Sequence, residues 1–117
     1  MSYDVYFCDP ISKSTIELES PHFMHGGTYQ VGGTTRLWLN ITYNYSVNYH
    51  AHGFSIRDLH GKTAVDIIPE LERVIAALKD DCDPDYWKAC DGNAKRALKQ
   101  LLAMAKMRPD ALIEVSA

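Results

Sequence analysis

The sequence predicts an α+β fold: a small antiparallel sheet of about four strands with two or three helices packed on one face. Three observations lead there. Short β-branched and aromatic runs alternate at period two in the first half and again at the carboxyl end. Apolar residues recur at helical spacing through the second half. Clusters of Gly, Pro and Asp separate the two kinds of segment. A chain of 117 residues with 46% hydrophobic side chains fits a single domain over 1–117, whose core folds without metal or disulfide staples.

Tyr3 to Cys8 and Thr15 to Glu19 read as two strands joined by a turn around Asp9-Pro10-Ile11-Ser12-Lys13, which predicts a hairpin. Pro21 to Thr35 carries two Gly-Gly-Thr triplets and predicts an ordered loop with unusual backbone angles. From Leu37 the alternation is strict. Leu37, Leu39, Ile41, Tyr43 and Tyr45 fall on one face and Trp38, Asn40, Thr42 and Asn44 on the other, which predicts a strand to about Tyr45.

Ser46 is a suitable N-cap for a helix through Val47, Ala51, Phe54 and Leu59 to Gly61, although Gly53 weakens it. Thr63 caps a second helix with Val65, Ile68, Leu71, Ile75 and Leu78 as its stripe, and Pro69 either starts its regular part or kinks it. Asp91 caps a third helix that buries Ala94, Leu98, Leu101, Leu102 and Ala105. Lys106 and Arg108 suit its negative end, and Pro109 stops it. Ala111 to Val115 is a strand expected to pair with the first hairpin.

Twelve basic against fifteen acidic residues, a net charge of -3, argue against tracking a nucleic-acid backbone or binding a membrane through a basic patch. No apolar run approaches the roughly 18 residues of a membrane span. The amino terminus has Asp4 and Asp9 and no basic residue before Lys13, unlike a secretory signal, so a cytoplasmic location is expected. Cys8, Cys82 and Cys90 are spaced for neither a disulfide framework nor a metal knuckle and read as reduced thiols, with Cys8 and Cys90 structural.

The charge is unevenly distributed. Residues 1–19 hold five charged side chains and 57–117 hold twenty-one, while the thirty-seven from Ser20 to Ile56 hold only Arg36. That stretch also holds four histidines, four tyrosines, Trp38 and five of the seven glycines. Aromatic faces, neutral polar groups and permissive backbone are what a pocket for a planar ligand needs. A buried sheet or a subunit interface would exclude charge equally well. Asn40, Asn44 and Asn48 would be costly in a core unless hydrogen-bonded.

Gly61-Lys62-Thr63 lacks the upstream glycine of a phosphate loop, since position 56 is Ile56, and reads as a helix stop followed by an N-cap. The Gly-Gly-Thr triplets can form an anion-binding nest, though tight turns are the commoner reason for such glycines. His22, His25, His50 and His52 share no single helical or extended face, so no metal site is expected. The acidic run 80–85 lacks the glycine and terminal Glu of a calcium loop.

Gly32-Gly33-Thr34, the run Trp38-Leu39-Asn40-Ile41-Thr42-Tyr43-Asn44-Tyr45-Ser46, Gly61-Lys62-Thr63, Tyr86-Trp87 and Gly92-Asn93-Ala94-Lys95-Arg96-Ala97-Leu98 together resemble a group of small bacteriophage and prophage proteins. The likeness runs nearly end to end and implies a genomic setting more than an activity, with the host bacterial cytoplasm as compartment. His50-Ala51-His52-Gly53 departs from the regular helix that other members carry at this point.

The expectation is therefore a non-catalytic phage accessory protein that needs no cofactor and binds a small nucleotide-like ligand, sequestering a host immune signal. Trp38 or Tyr43 would stack the base and Asn40 and Asn44 would read its edge. Gly32, Gly33, Thr34 and Arg36 would hold phosphate, with His25 alongside. The alternatives are an inhibitor that binds a host protein through the same charge-poor face, and a small histidine-dependent hydrolase. A homo-oligomer, in which a second subunit completes the face, is compatible with each.

Overall fold

A computed structural model describes residues 1–24, 33–85 and 87–117. The fold is α+β. In chain order it has β1 (Ser2–Cys8), β2 (Glu17–His22), β3 (Thr34–Arg36), β4 (Trp38–Thr42), a 3₁₀ turn (Tyr43–Tyr45), α1 (Ser46–His50), a second 3₁₀ turn (Ile56–Leu59), α2 (Ala64–Ala77), α3 (Asp91–Met107) and β5 (Leu112–Ser116).

β1 is the centre of the main sheet, with β4 and β5 antiparallel on either side in the order β4-β1-β5. Successive side chains point to opposite faces of a strand. Tyr3, Val5 and Phe7 of β1 are accordingly buried, with Leu39 and Ile41 of β4 and Ile113 of β5, against helical residues such as Ile67, Leu71, Leu98 and Leu101. Ser2, Asp4 and Tyr6 alternate with them on the other face and are half-buried.

The expected four-stranded sheet is split in two. β1 and the chain after its turn meet at the Cys8–Thr15 bridge, but β2 then leaves and pairs with β3. Three hydrogen bonds mark the fork: Phe7 N–H to Leu37 O, Ile16 N–H to Phe7 O, and Leu37 N–H to Ile16 O. Leu37, fully buried, is where the chain passes from the small sheet into the main one. The glycine-rich loop expected over Pro21–Thr35 lies largely outside the described residues. At its edges, Pro21 and His22 belong to β2 and Thr34 and Thr35 to β3.

The strand expected to reach Tyr45 ends at Thr42. The Thr42 hydroxyl accepts the Asn44 N–H at 3.2 Å and caps a 3₁₀ turn, so Tyr43 to Tyr45 coil although the apolar alternation continues. The helix expected from Ser46 to Gly61 is a five-residue α1 without a side-chain cap. It is followed by Gly53, at φ +67°, and the second 3₁₀ turn.

α2 starts after Thr63 as expected. Its first N–H groups, which lack helical partners, bond to carbonyls before β5: Ala64 N–H to Ala111 O and Val65 N–H to Pro109 O. Pro69 lies inside α2 and does not interrupt it. The buried stripe is Ala64, Ile67, Leu71, Val74 and Leu78, so Val65, expected inside, is exposed. α3 buries Ala94, Leu98, Leu101 and Ala105 as expected, with Leu102 at the margin of the core. Its N-cap is Cys90 rather than Asp91. β5 pairs with β1, as the sequence suggests.

Candidate functional site

The outer face of the main sheet gathers the polar and aromatic side chains. The register sets Trp38 of β4 opposite Tyr6 of β1, and Tyr6 opposite Glu114 of β5, in a row across the three strands. The next row pairs Asn40 with Asp4. The Tyr6 and Trp38 rings lie nearly parallel, 13° apart, with centroids at 6.1 Å. The Arg36 guanidinium stands over both, 5.5 Å from the Tyr6 centroid and 5.9 Å from that of Trp38. It also donates to the Thr15 hydroxyl at 3.3 Å, and among the described residues no carboxylate pairs with it.

Asp4 fixes this platform. Its Oδ1 accepts the Trp38 indole N–H at 3.0 Å and the Asn40 amide at 2.6 Å, while the other Asn40 amide hydrogen goes to the Ser2 hydroxyl at 3.0 Å. The bonds explain how Asn40 sits at 4% exposure without the penalty of a bare buried amide. The Tyr6 hydroxyl is held above the ordinary phenol range, first by partial burial and then by Asp4; Arg36 opposes the shift and Glu114 adds to it. Burial and the neighbouring Glu114, to which its Sγ donates at 3.7 Å, also raise the Cys8 thiol, leaving it a poor nucleophile.

Of the expected site residues, Arg36, Trp38 and Asn40 come together, joined by Asp4 and Tyr6. Both amide hydrogens of Asn40 are engaged within the protein, which removes them from reading a base edge. Tyr43 and Asn44 turn away because β4 ends before them. Tyr43 packs on Tyr3 at 4.4 Å, on the opposite face, where Arg57 lies 5.4 Å from the Tyr3 ring. Asn44 donates to Trp87 O at 2.7 Å. Gly33 has φ +71°, and a Cβ there would lie 2.8 Å from His22 O, so it serves the close approach of the chain to β2. The Thr34 hydroxyl accepts the Arg36 N–H at 3.1 Å. His25 and Gly32 lie outside the described residues.

Sequence reasoning missed Asp4 and Tyr6. Alternation along β1 does put them on one face with Ser2, but which strand lies beside them is a long-range fact that the run itself does not contain.

His22 and His60 serve separate structural bonds. The Gln100 amide donates to His22 Nδ1 at 3.1 Å, so the ring proton sits on Nε2, which donates to Arg36 O at 2.8 Å. His60 Nδ1 accepts the Val115 N–H at 3.0 Å. Among the described residues no three His, Cys, Asp or Glu side chains group as metal ligands, and no helix is long and apolar enough to cross a membrane. The start of α3 is covered: Gly92 N–H bonds to Asp81 O, and the Asn93 amide to Asp85 O and Lys88 O.

A cavity of about 610 Å³ lies beside α2, away from the aromatic platform, with Asp58, Asp66, Glu70 and Lys62 in its lining. Two of its acids are already engaged, Asp66 by the Thr63 hydroxyl at 2.7 Å and Glu70 by Arg73 at 2.6 Å. Another, of about 270 Å³, lies between β2 and α3 and is walled by Leu18, Leu37 and Met104. Neither brings an exposed cation onto aromatic faces as the outer sheet face does. Family models, curated proteins and solved structures yield no match to the chain.

Proposed function

We propose that the protein is a non-catalytic binding protein whose outer sheet face takes a small nucleotide-like ligand. Sequestration of an immune signalling nucleotide, in a phage-encoded setting, is its specific form. The observation that carries the reading is Arg36, which spans the Tyr6 and Trp38 rings and has no carboxylate partner among the described residues. A guanidinium over aromatic faces offers a plane for a base and N–H donors for a phosphate oxygen. Asp4 keeps the indole in place, so little side-chain ordering remains for the binding step.

A melting-temperature panel of linear and cyclic nucleotides tests this. A ligand at a hundred times its dissociation constant adds about 2.7 kcal/mol to stability. The expected result is a shift with at least one nucleotide that Arg36→Ala abolishes. No shift across the panel, or a shift that survives Arg36→Ala, sinks the reading. Retention of a protein partner instead, with no small molecule released on denaturation, would favour an inhibitor that binds a host protein.

A further inference from the structure

Resting on that reading, we infer that the outer face selects guanine among the bases, carried on a ligand with a single phosphate charge. Two carboxylates on this face are left to meet a ligand, beside the Tyr6 hydroxyl and below the Arg36 guanidinium. Asp4 spends Oδ1 on Trp38 and Asn40, while its Oδ2 has no partner among the described residues. Glu114 is exposed, directly across from Tyr6, and among the described residues its one bond is the long contact from the Cys8 thiol. Asp4 precedes Tyr6 by two residues on the same face of β1. Tyr6 is therefore bordered by a carboxylate on its strand and by another on the neighbouring strand, with Trp38 on its third side and Arg36 above.

Ionised carboxylates accept hydrogen bonds and cannot donate them. A base whose edge reaches both carboxylates must therefore present two N–H donors there. Guanine offers two adjacent ones, N1–H and the N2 amino group. Adenine and cytosine offer an amino group beside a ring-nitrogen acceptor, and uracil a lone N–H between two carbonyls. In those cases an acceptor would be brought against a carboxylate.

Charge fixes the second half of the inference. Among the described residues, Asp4 and Glu114 stand against the single cation Arg36 on this face. Repulsion from the two carboxylates grows with every phosphate charge that the guanidinium does not pair, so a single phosphodiester charge is favoured over a triphosphate. The favoured class is thus a guanine-containing cyclic phosphodiester rather than a nucleoside triphosphate.

The experiment is calorimetric titration of the full chain with cyclic GMP, cyclic AMP and GTP. Cyclic GMP is expected to bind about tenfold more tightly than cyclic AMP, the discrimination typical of a two-point contact to a base edge, and more tightly than GTP. Asp4→Asn and Glu114→Gln each replace an acceptor oxygen by a donor. At least one of them is expected to bring the cyclic GMP to cyclic AMP ratio close to one. Glu114, being exposed, can be changed without disturbing the Trp38 and Asn40 bonds. Equal affinity for the two cyclic nucleotides, tightest binding of GTP, or a preference that survives both substitutions would overturn the inference while leaving nucleotide binding intact. Failure of every nucleotide to bind would overturn the underlying reading as well.

Discussion

At the start of α3, three adjacent residues tie the segment from Lys79 to Lys88 onto the helix, each by a different kind of contact. Asp91 accepts the Lys79 N–H at 3.0 Å and the Asn48 amide at 2.8 Å. Gly92 lets the backbone pass close by, since a Cβ there would lie 2.5 Å from both Asp81 O and Cys82 Sγ. Asn93, fully buried, donates to Asp85 O and Lys88 O. Asp91 is legible in sequence as a polar residue at a helix start, but its partners are not, because both come from other elements. The Lys79 N–H first, and then Asn48, hold its carboxyl below the usual carboxylate range. A depressed folded-state pKa means that the contribution is present above the unfolded value of about 3.9 and is lost as pH falls through the folded value. Asp91→Asn turns one acceptor into a donor facing a donor, and is expected to destabilise the fold by about 1–2 kcal/mol at neutral pH. Urea unfolding should show the gap between the two proteins narrowing below about pH 4. A gap independent of pH would rule out the carboxylate as its origin.

At the scale of elements, the stretch from Trp38 to His50 shows why a period-two pattern is a weak guide to where a strand ends. The apolar alternation runs on past Thr42, yet the chain coils there because the Thr42 hydroxyl offers the Asn44 N–H a local partner. Trp38 and Asn40 therefore stay on the outer face while Tyr43 packs on Tyr3 and Asn44 reaches Trp87 O, which divides the expected site. The two candidate caps in this stretch separate experimentally. Thr42→Val keeps the shape and removes the accepting oxygen, with an expected loss of about 1 kcal/mol. Ser46→Ala should change stability by less than about 0.5 kcal/mol, because no side chain caps α1. Equal losses from the two, measured as denaturation midpoints, would contradict this assignment. In α2 the helical period was legible but its rotation was not. Bonds from Ala64 and Val65 to Ala111 O and Pro109 O set that rotation, and they come from a distant part of the chain.

Across the whole molecule, fold class and most element positions follow from local pattern, whereas the split of the sheet at Leu37 and the meeting of Asp4 with Trp38 depend on pairings that no local window contains. The charge-poor stretch likewise divides between two roles. Arg36, Trp38 and Asn40 face outward, but Tyr45 and Tyr49, each at 1% exposure, belong to the core. These two tyrosines give the fold a limit on its alkaline side. They meet edge-on at 6.4 Å, Tyr49 meets Phe54 at 5.6 Å, and the Tyr49 hydroxyl donates to Ala94 O of α3 at 2.8 Å. Burial pushes Tyr45 up to about 12 and Tyr49 well above its ordinary value. The unfolded chain releases these protons near pH 10, while the folded chain keeps them. Stability from the neutral phenols is therefore fully present below about pH 10 and falls as pH rises toward the folded values, by about 1.4 kcal/mol per pH unit for each tyrosine. Tyr49→Phe removes one of the two contributions. It is expected to cost about 1 kcal/mol at pH 7, through the lost bond to Ala94 O, and to flatten the decline above pH 10. Guanidinium denaturation midpoints between about pH 7 and pH 11.5 measure both effects. If the alkaline slope of Tyr49→Phe equals that of the parent protein, the buried hydroxyl does not set this limit.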